Sequence, residues 1–232
     1  MALTAPKTMP VPGGGGQQYE PIPADNYPAI CCGVIDLGTH QDSYQGQDPK
    51  WRRHVKIQFE IPDVRRGDGK TAIVSKTFYN LSYHEKAGFR IALDSWLGSG
   101  WEDTYGGQDL SFLIGLPAMV NVTLETADDG KKYNKISAIT KYPTRMGKIE
   151  GERDSFYLDL ESLYLPPELS KYDAEKIRGS AEYKANTFRD EAPRNDGGGA
   201  YVPRTTTPPA PALPTRTGSP ADVNDPGDGC PF

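Results

Sequence analysis

The sequence predicts a mainly β domain: five strands curled into a small barrel, a helix between the third and fourth strands, a short accessory C-terminal helix and disordered tails. Three observations predict it. Trp51 to Ile61 (WRRHVKIQFEI) alternates apolar and polar residues over its whole length, the period of a half-buried strand. One later segment, Phe89 to Leu97, has helical spacing instead. Gly 25, Pro 21 and a hydrophobic content of 36% are too lean for a chain packed throughout. A core of roughly 110 residues can still enclose a viable interior.

Ala29 to Leu37 (AICCGVIDL), bounded by Pro28 and Gly38, reads as the first strand, with Gly33 marking a bulge or sharp bend. A polar loop leads to the second strand. There Val55, Ile57, Phe59 and Ile61 share one side, and Arg52, His54, Lys56, Gln58 and Glu60 share the other. Past Gly67-Asp68-Gly69, Thr71–Leu81 is the third strand. Ser82 and Glu85 have capping-box spacing, Phe89, Ala92, Leu93, Trp96 and Leu97 make one apolar face, and Gly98 is the stop. A loop with Trp101, Tyr105, Gly106 and Gly107 crosses to a fourth strand, Ala118–Thr126. An Asp128-Asp129-Gly130 turn joins it to a fifth, Lys132–Lys141. Five strands with a helix between the third and fourth is the order of an OB-fold barrel, which binds oligonucleotides or oligosaccharides across strands 2 and 3 and nearby loops.

Around that barrel, residues 1–27 read as a flexible leader. Residues 28–150 are the barrel and 151–186 an accessory segment. Within the latter, Ser170 with Asp173 starts a short helix over 173–185. Residues 187–232 hold nine prolines and almost no large apolar side chain, too little to offset ordering entropy.

The net charge of -5 is unevenly spread. Residues 47–150 carry 16 Lys and Arg against 13 Asp and Glu, whereas the remainder carries 10 against 18. The barrel is thus mildly basic and the rest acidic. No run of 18 apolar residues exists, so no membrane span is expected, and no secretory signal is evident. Cys31 and Cys32 are adjacent and no Cys-x-x-Cys pair exists, which points to buried strand residues in a reducing cytoplasm, with no zinc site. His40, His54 and His84 lack catalytic or metal-binding spacing, and no Walker loop or Gly-x-Ser-x-Gly elbow occurs. No catalytic residue, metal or cofactor is expected.

Sequence-neutral binding of single strands needs cations for phosphates and flat rings for bases. The sequence offers Lys50, Arg52, Arg53, His54, Lys56, Arg65, Arg66, Lys76, Lys131, Lys132 and Lys135, with Trp51, Tyr79, Tyr83, Tyr105 and Tyr133; Tyr44 and Trp101 are further rings. They cluster on strands 2 and 3, the 1–2 loop and the 4–5 hairpin. The chain closes on ADVNDPGDGCPF, where Asp222, Asp225 and Asp228 have no compensating base and Pro231-Phe232 is last. Such a tail can compete for a basic groove or dock in a partner's hydrophobic pocket with a basic rim.

The tip Asp225–Phe232 resembles the acidic Pro-Phe tip with which bacterial single-stranded DNA-binding proteins recruit replication and repair enzymes. Here the acids are spaced by Pro and Gly, and Gly229-Cys230 precedes Pro231. Over roughly residues 27–185, the segments YPAICCGVIDLGTH, RRHVKIQFEIP, SKTFYNLSYHEK, LDSWLG, GLPAMVNV and KYNKISAI resemble small bacteriophage OB-fold single-stranded DNA-binding proteins. The resemblance implies a non-enzymatic phage protein of DNA replication or recombination in the bacterial host cytoplasm. Its expected partners are single-stranded DNA and replication or recombination enzymes, with self-association into a homo-oligomer left open. The alternative is a protein-interaction adaptor whose barrel binds a protein partner.

Overall fold

The computed structural model describes residues 20–43, 48–162 and 164–185. Residues 1–19, Tyr44 and the stretch from 186 onward, with Asp222, Asp225, Asp228, Pro231 and Phe232, lie outside the described residues.

The described chain runs β1 (Asp25–Asp42), β2 (Lys50–Arg65), β3 (Thr71–Phe78), α1 (Gly88–Leu97), α2 (Trp101–Tyr105), β4 (Pro117–Thr126) and β5 (Lys132–Lys141). It continues through β6 (Phe156–Leu158), α3 (Lys171–Arg178) and α4 (Ala181–Ala185). Strand order is β3-β2-β1-β4-β5, antiparallel throughout, with β6 added parallel to β1. The expected closed barrel is corrected to a sheet that is not closed. At the seam between β3 and β5, the Lys76 ammonium donates to the carbonyls of Ile136 (3.1 Å) and Ser137 (3.3 Å). A side chain thus takes acceptors that a closing ladder would use.

β1 is far longer than its apolar run because two ladders hold it. Asp25–Ile30 pair with β4, and Ile30–Asp42 pair with β2. Its register slips between Cys31 and Gly33 and again between Asp36 and Gly38, and bulges of this kind bend a strand. Where β4 leaves the edge of β1, β6 takes it over at Gly33–Ile35, so that edge is not left unpaired.

The principal core lies on the alternation read from the sequence. Val55, Ile57, Phe59 and Ile61 are all buried with Phe89, Leu93 and Trp96 of α1. The Trp96 indole donates to the Pro117 carbonyl (2.8 Å), satisfying its one polar atom. α1 does not use the Ser82–Glu85 capping box. It begins at Gly88 after Ala87, and the Ser82 hydroxyl instead accepts from the His84 N–H (3.3 Å). Gly98 ends it at φ 91°. Trp101, expected in a loop, opens α2 and is buried, donating to Asp94 (2.8 Å) and facing the Phe112 ring.

A second, smaller core joins Ile35 and Leu37 of β1 to Leu158, Leu160, Leu165 and Ile177. The helix expected over 173–185 is two helices, α3 and α4, parted at Gly179-Ser180. Ser170 caps α3, its hydroxyl accepting from the Asp173 N–H (3.1 Å). The break is where the chain meets β1: a Cβ on Gly38 (φ +81°) would lie 2.4 Å from the Ser180 Cβ. Only glycine permits both that backbone and that approach.

Candidate nucleic-acid interface

The polar side of β2 divides into a covered centre and an open end. At the centre, the Lys56 ammonium donates to both Asp173 oxygens (3.0 and 2.8 Å), and that carboxylate is 1% exposed. Glu60 is buried too. It accepts from the backbone N–H groups of Glu152 (2.9 Å) and Arg153 (3.1 Å) and from the Thr71 hydroxyl (2.7 Å), while the Arg153 guanidinium donates to Thr71 Oγ1 (2.9 Å). Arg65 pairs with Glu152, and Arg53 pairs with Asp36. The open basic face expected over Arg52–Glu60 is therefore corrected at its middle. Glu152, Arg153 and Asp173 of the chain itself lie there, and Glu152 and Asp173 take cations that the sequence presents as solvated.

At the other end of β2, Lys50 and Trp51 are exposed and Arg52 is half-buried. They stand opposite Asp42, Gln41 and His40 in the β1–β2 ladder. The Trp51 side chain is 63% exposed, although an indole has much apolar area to bury. Tyr79, just past β3, is 54% exposed, and its ring stands nearly perpendicular to the His54 imidazole (5.1 Å, 85°). His54 itself, expected on the binding surface, is wholly buried. It stacks on His40 (4.7 Å), and its Nε2 bonds Asp42 (2.7 Å), while its Nδ1 has no hydrogen-bond partner among the described residues. Burial pushes the imidazole's pKa down, Asp42 pulls it back, and His40 and Lys176 push it down further.

The remaining predicted residues fall elsewhere. Lys76 sits in the β3–β5 seam, where burial and the nearby Lys135 lower its pKa. On the β4–β5 hairpin, Lys131 pairs with Asp129 (2.7 Å), Lys135 with Glu125 (2.8 Å), and the Tyr133 hydroxyl donates to Glu125 (3.0 Å); Lys132 is exposed. Tyr83 is partly exposed against Phe89 and Trp101, whereas Tyr105 stacks on Phe112 (4.6 Å). Arg65 and half-buried Arg66 lie at the far end of β2 from Trp51. The structure thus brings Lys50, Trp51, Arg52 and Tyr79 to one end of the sheet, sets Lys76, Lys132, Tyr133 and Lys135 along the seam and hairpin, and leaves Arg65 and Arg66 apart from both.

The sequence reading missed Tyr172 and Lys176 of α3. Tyr172 is 64% exposed, and the Lys176 ammonium lies 6.0 Å from the Tyr79 ring centre. The signal was present: the Ser170 cap starts a helix at Lys171, which puts Tyr172 and Lys176 one turn apart on one face. Among the described residues no cluster of His, Cys, Asp and Glu is placed to hold a metal ion, and no helix is long and apolar enough to cross a membrane.

Comparison with protein-family models, with curated proteins and with solved structures finds no match to this chain. The class it defines rests on its own geometry. It is a mainly β domain of five antiparallel strands and a short sixth, with exposed rings and cations gathered at one end of the sheet.

Proposed function

We propose that this is a non-enzymatic, OB-type protein that binds single-stranded DNA without strong sequence preference, acting in phage DNA replication or recombination inside a bacterial host. The order β3-β2-β1-β4-β5, a bent β1 shared by two ladders, and a helix between β3 and β4 support the OB reading. The observation that carries the binding reading is the exposed Trp51 indole at the same end of β2 as Lys50 and Arg52. Neighbouring strand residues face opposite ways, so an exposed indole on one face and cations on the other give a stacking surface and phosphate contacts to a single strand passing over this end of the sheet. On the hairpin Lys132 is exposed, while Lys131 and Lys135 are paired with Asp129 and Glu125. The tail residues Asp222, Asp225, Asp228, Pro231 and Phe232 compete with DNA and recruit partner enzymes. Deleting residues 220–232 then leaves or raises DNA affinity and abolishes recruitment.

The test is fluorescence titration with oligo-dT. Trp96 and Trp101 are buried, so quenching on binding reports Trp51. Binding that weakens with salt by a slope of about -0.7 per phosphate contacted supports the reading. No quenching, or affinity indifferent to salt, overturns it.

A further inference from the structure

We propose that α3 is the second wall of this single-strand site: Tyr172 and Lys176 stand beside Tyr79 to take one unpaired base and its phosphate. The inference rests on the single-strand reading above and adds to it a part of the chain outside the five-stranded sheet.

The position of α3 is fixed by contacts of its own. Ile177 is fully buried in the second core, Asp173 is locked to Lys56, and Ser180 fills the space over Gly38. Beyond the break, Glu182 accepts from the Thr39 N–H (2.7 Å) and hydroxyl (2.6 Å). A segment held by an apolar core, a buried ion pair and these hydrogen bonds is part of the fold, not a plug over the strands. Tyr172 and Lys176, each one residue before these anchors, remain at the surface.

Tyr79 is held from below. Its ring meets the His54 imidazole nearly at right angles, and His54 is itself held by His40 and Asp42, so the ring direction is set before any ligand arrives. Little side-chain entropy is then lost on stacking. The Lys176 ammonium, 6.0 Å from the ring centre, is at the outer limit of a cation–π contact and is available to an anion. Tyr172 lies four residues before Lys176 in α3, so its exposed ring is on the face of α3 that carries Lys176 toward Tyr79. Asp42 and Asp173 are engaged by His54 and Lys56. Two exposed rings beside a half-buried lysine suit a base of any identity and its phosphate.

The experiment is anisotropy of labelled oligo-dT with the full chain, comparing wild type, Trp51→Ala, Tyr79→Ala, Tyr172→Ala, Tyr172→Phe and Lys176→Ala. Tyr172→Ala and Tyr79→Ala should each weaken binding about tenfold, the scale of one lost stacking platform. Tyr172→Phe should bind as wild type does, because the ring is retained. Lys176→Ala should make the salt slope shallower by about 0.7. The double variant Tyr79→Ala/Tyr172→Ala should lose less than the product of the single losses, since both rings serve one base. If wild type binds and Trp51→Ala weakens it while Tyr172→Ala and Lys176→Ala change nothing, α3 is outside the site and the single-strand reading survives. If wild type itself does not bind, the functional reading fails first.

Discussion

Trp51–Arg52 and Lys56–Glu60 belong to one strand with one alternation, yet they meet different fates. Trp51 is exposed and Arg52 half-buried at the end of the sheet, while Lys56 and Glu60 lie under Glu152, Arg153 and Asp173. The difference teaches that alternation tells which side chains share a face and nothing of what later lies on it. Charge alone does not mark a ligand surface either. Lys56 answers an aspartate 117 residues away, and Glu60 serves as an acceptor for the backbone that crosses it.

The largest effect should come from the covered end. Replacing Lys56 by Met leaves the Asp173 carboxylate buried without its cation, which costs about 3–5 kcal/mol for a broken buried pair. The double change Lys56→Met/Asp173→Leu should recover most of that loss, because it removes the stranded charge as well. Urea unfolding of the two variants checks this. A single variant as stable as wild type would show that the covered end is wet and the contrast with Trp51 is shallow.

Next is the apolar anchor. Ile177→Ala should cost about 2–4 kcal/mol, the range for emptying a buried aliphatic site. Hydrogen exchange separates it from Leu93→Ala in the principal core. The Ile177 change should raise exchange in β6, α3 and α4 first, whereas the Leu93 change should loosen β1–β5. Equal patterns from both would mean that the two cores unfold as one body.

Much of this molecule was legible because it is local. β5 starts and ends where the Asp128-Asp129-Gly130 turn and the run to Lys141 put it, and the Gly33 bend falls at a register slip. The inward residues of β2 and the α1 face are set by periodicity and are found as read. What was not legible depends on distant pairing. The Lys76 side chain in the seam, the covering of Glu60 by Glu152 and Arg153, and the length of β1 all come from partners that no window around those residues contains. The site shows the same division. Trp51 could be singled out from its own strand, and it is exposed; the exposure of Tyr172 on the side of α3 that carries Lys176 toward Tyr79 depends on how α3 docks.

The open end should respond in the opposite way to the covered one. Trp51→Ala should change unfolding free energy by less than about 0.5 kcal/mol, as for an exposed position away from any special feature. The same change should weaken oligo-dT binding by about 1–3 kcal/mol. Measured together, the two numbers test whether this indole is kept for a ligand. A large loss of stability with unchanged binding would make it a packing residue.

The smallest effect joins the two ends at His54. Burial is the main cause that holds its imidazole below the ordinary 6.5, with Asp42 of β1 opposing and His40 of β1 and Lys176 of α3 reinforcing it. The unfolded chain therefore takes up a proton at higher pH than the folded one, so stability rises with pH across this window. The contribution is whole above about 6.5 and is lost as pH falls from there to the lowered folded value. Asp94, Glu125, Asp129, Glu152 and Glu182 are also held below their ordinary values, but these lie at 3.8 or 4.5, so their stabilisation is lost at lower pH. Urea midpoints measured downward from about pH 8 should begin to fall near 6.5, and His54→Phe should flatten that first limb while leaving the acid limb in place. A wild-type midpoint that stays level until the carboxylates titrate would mean that the imidazole is not held neutral, and the fixed support beneath Tyr79 would lose its cause.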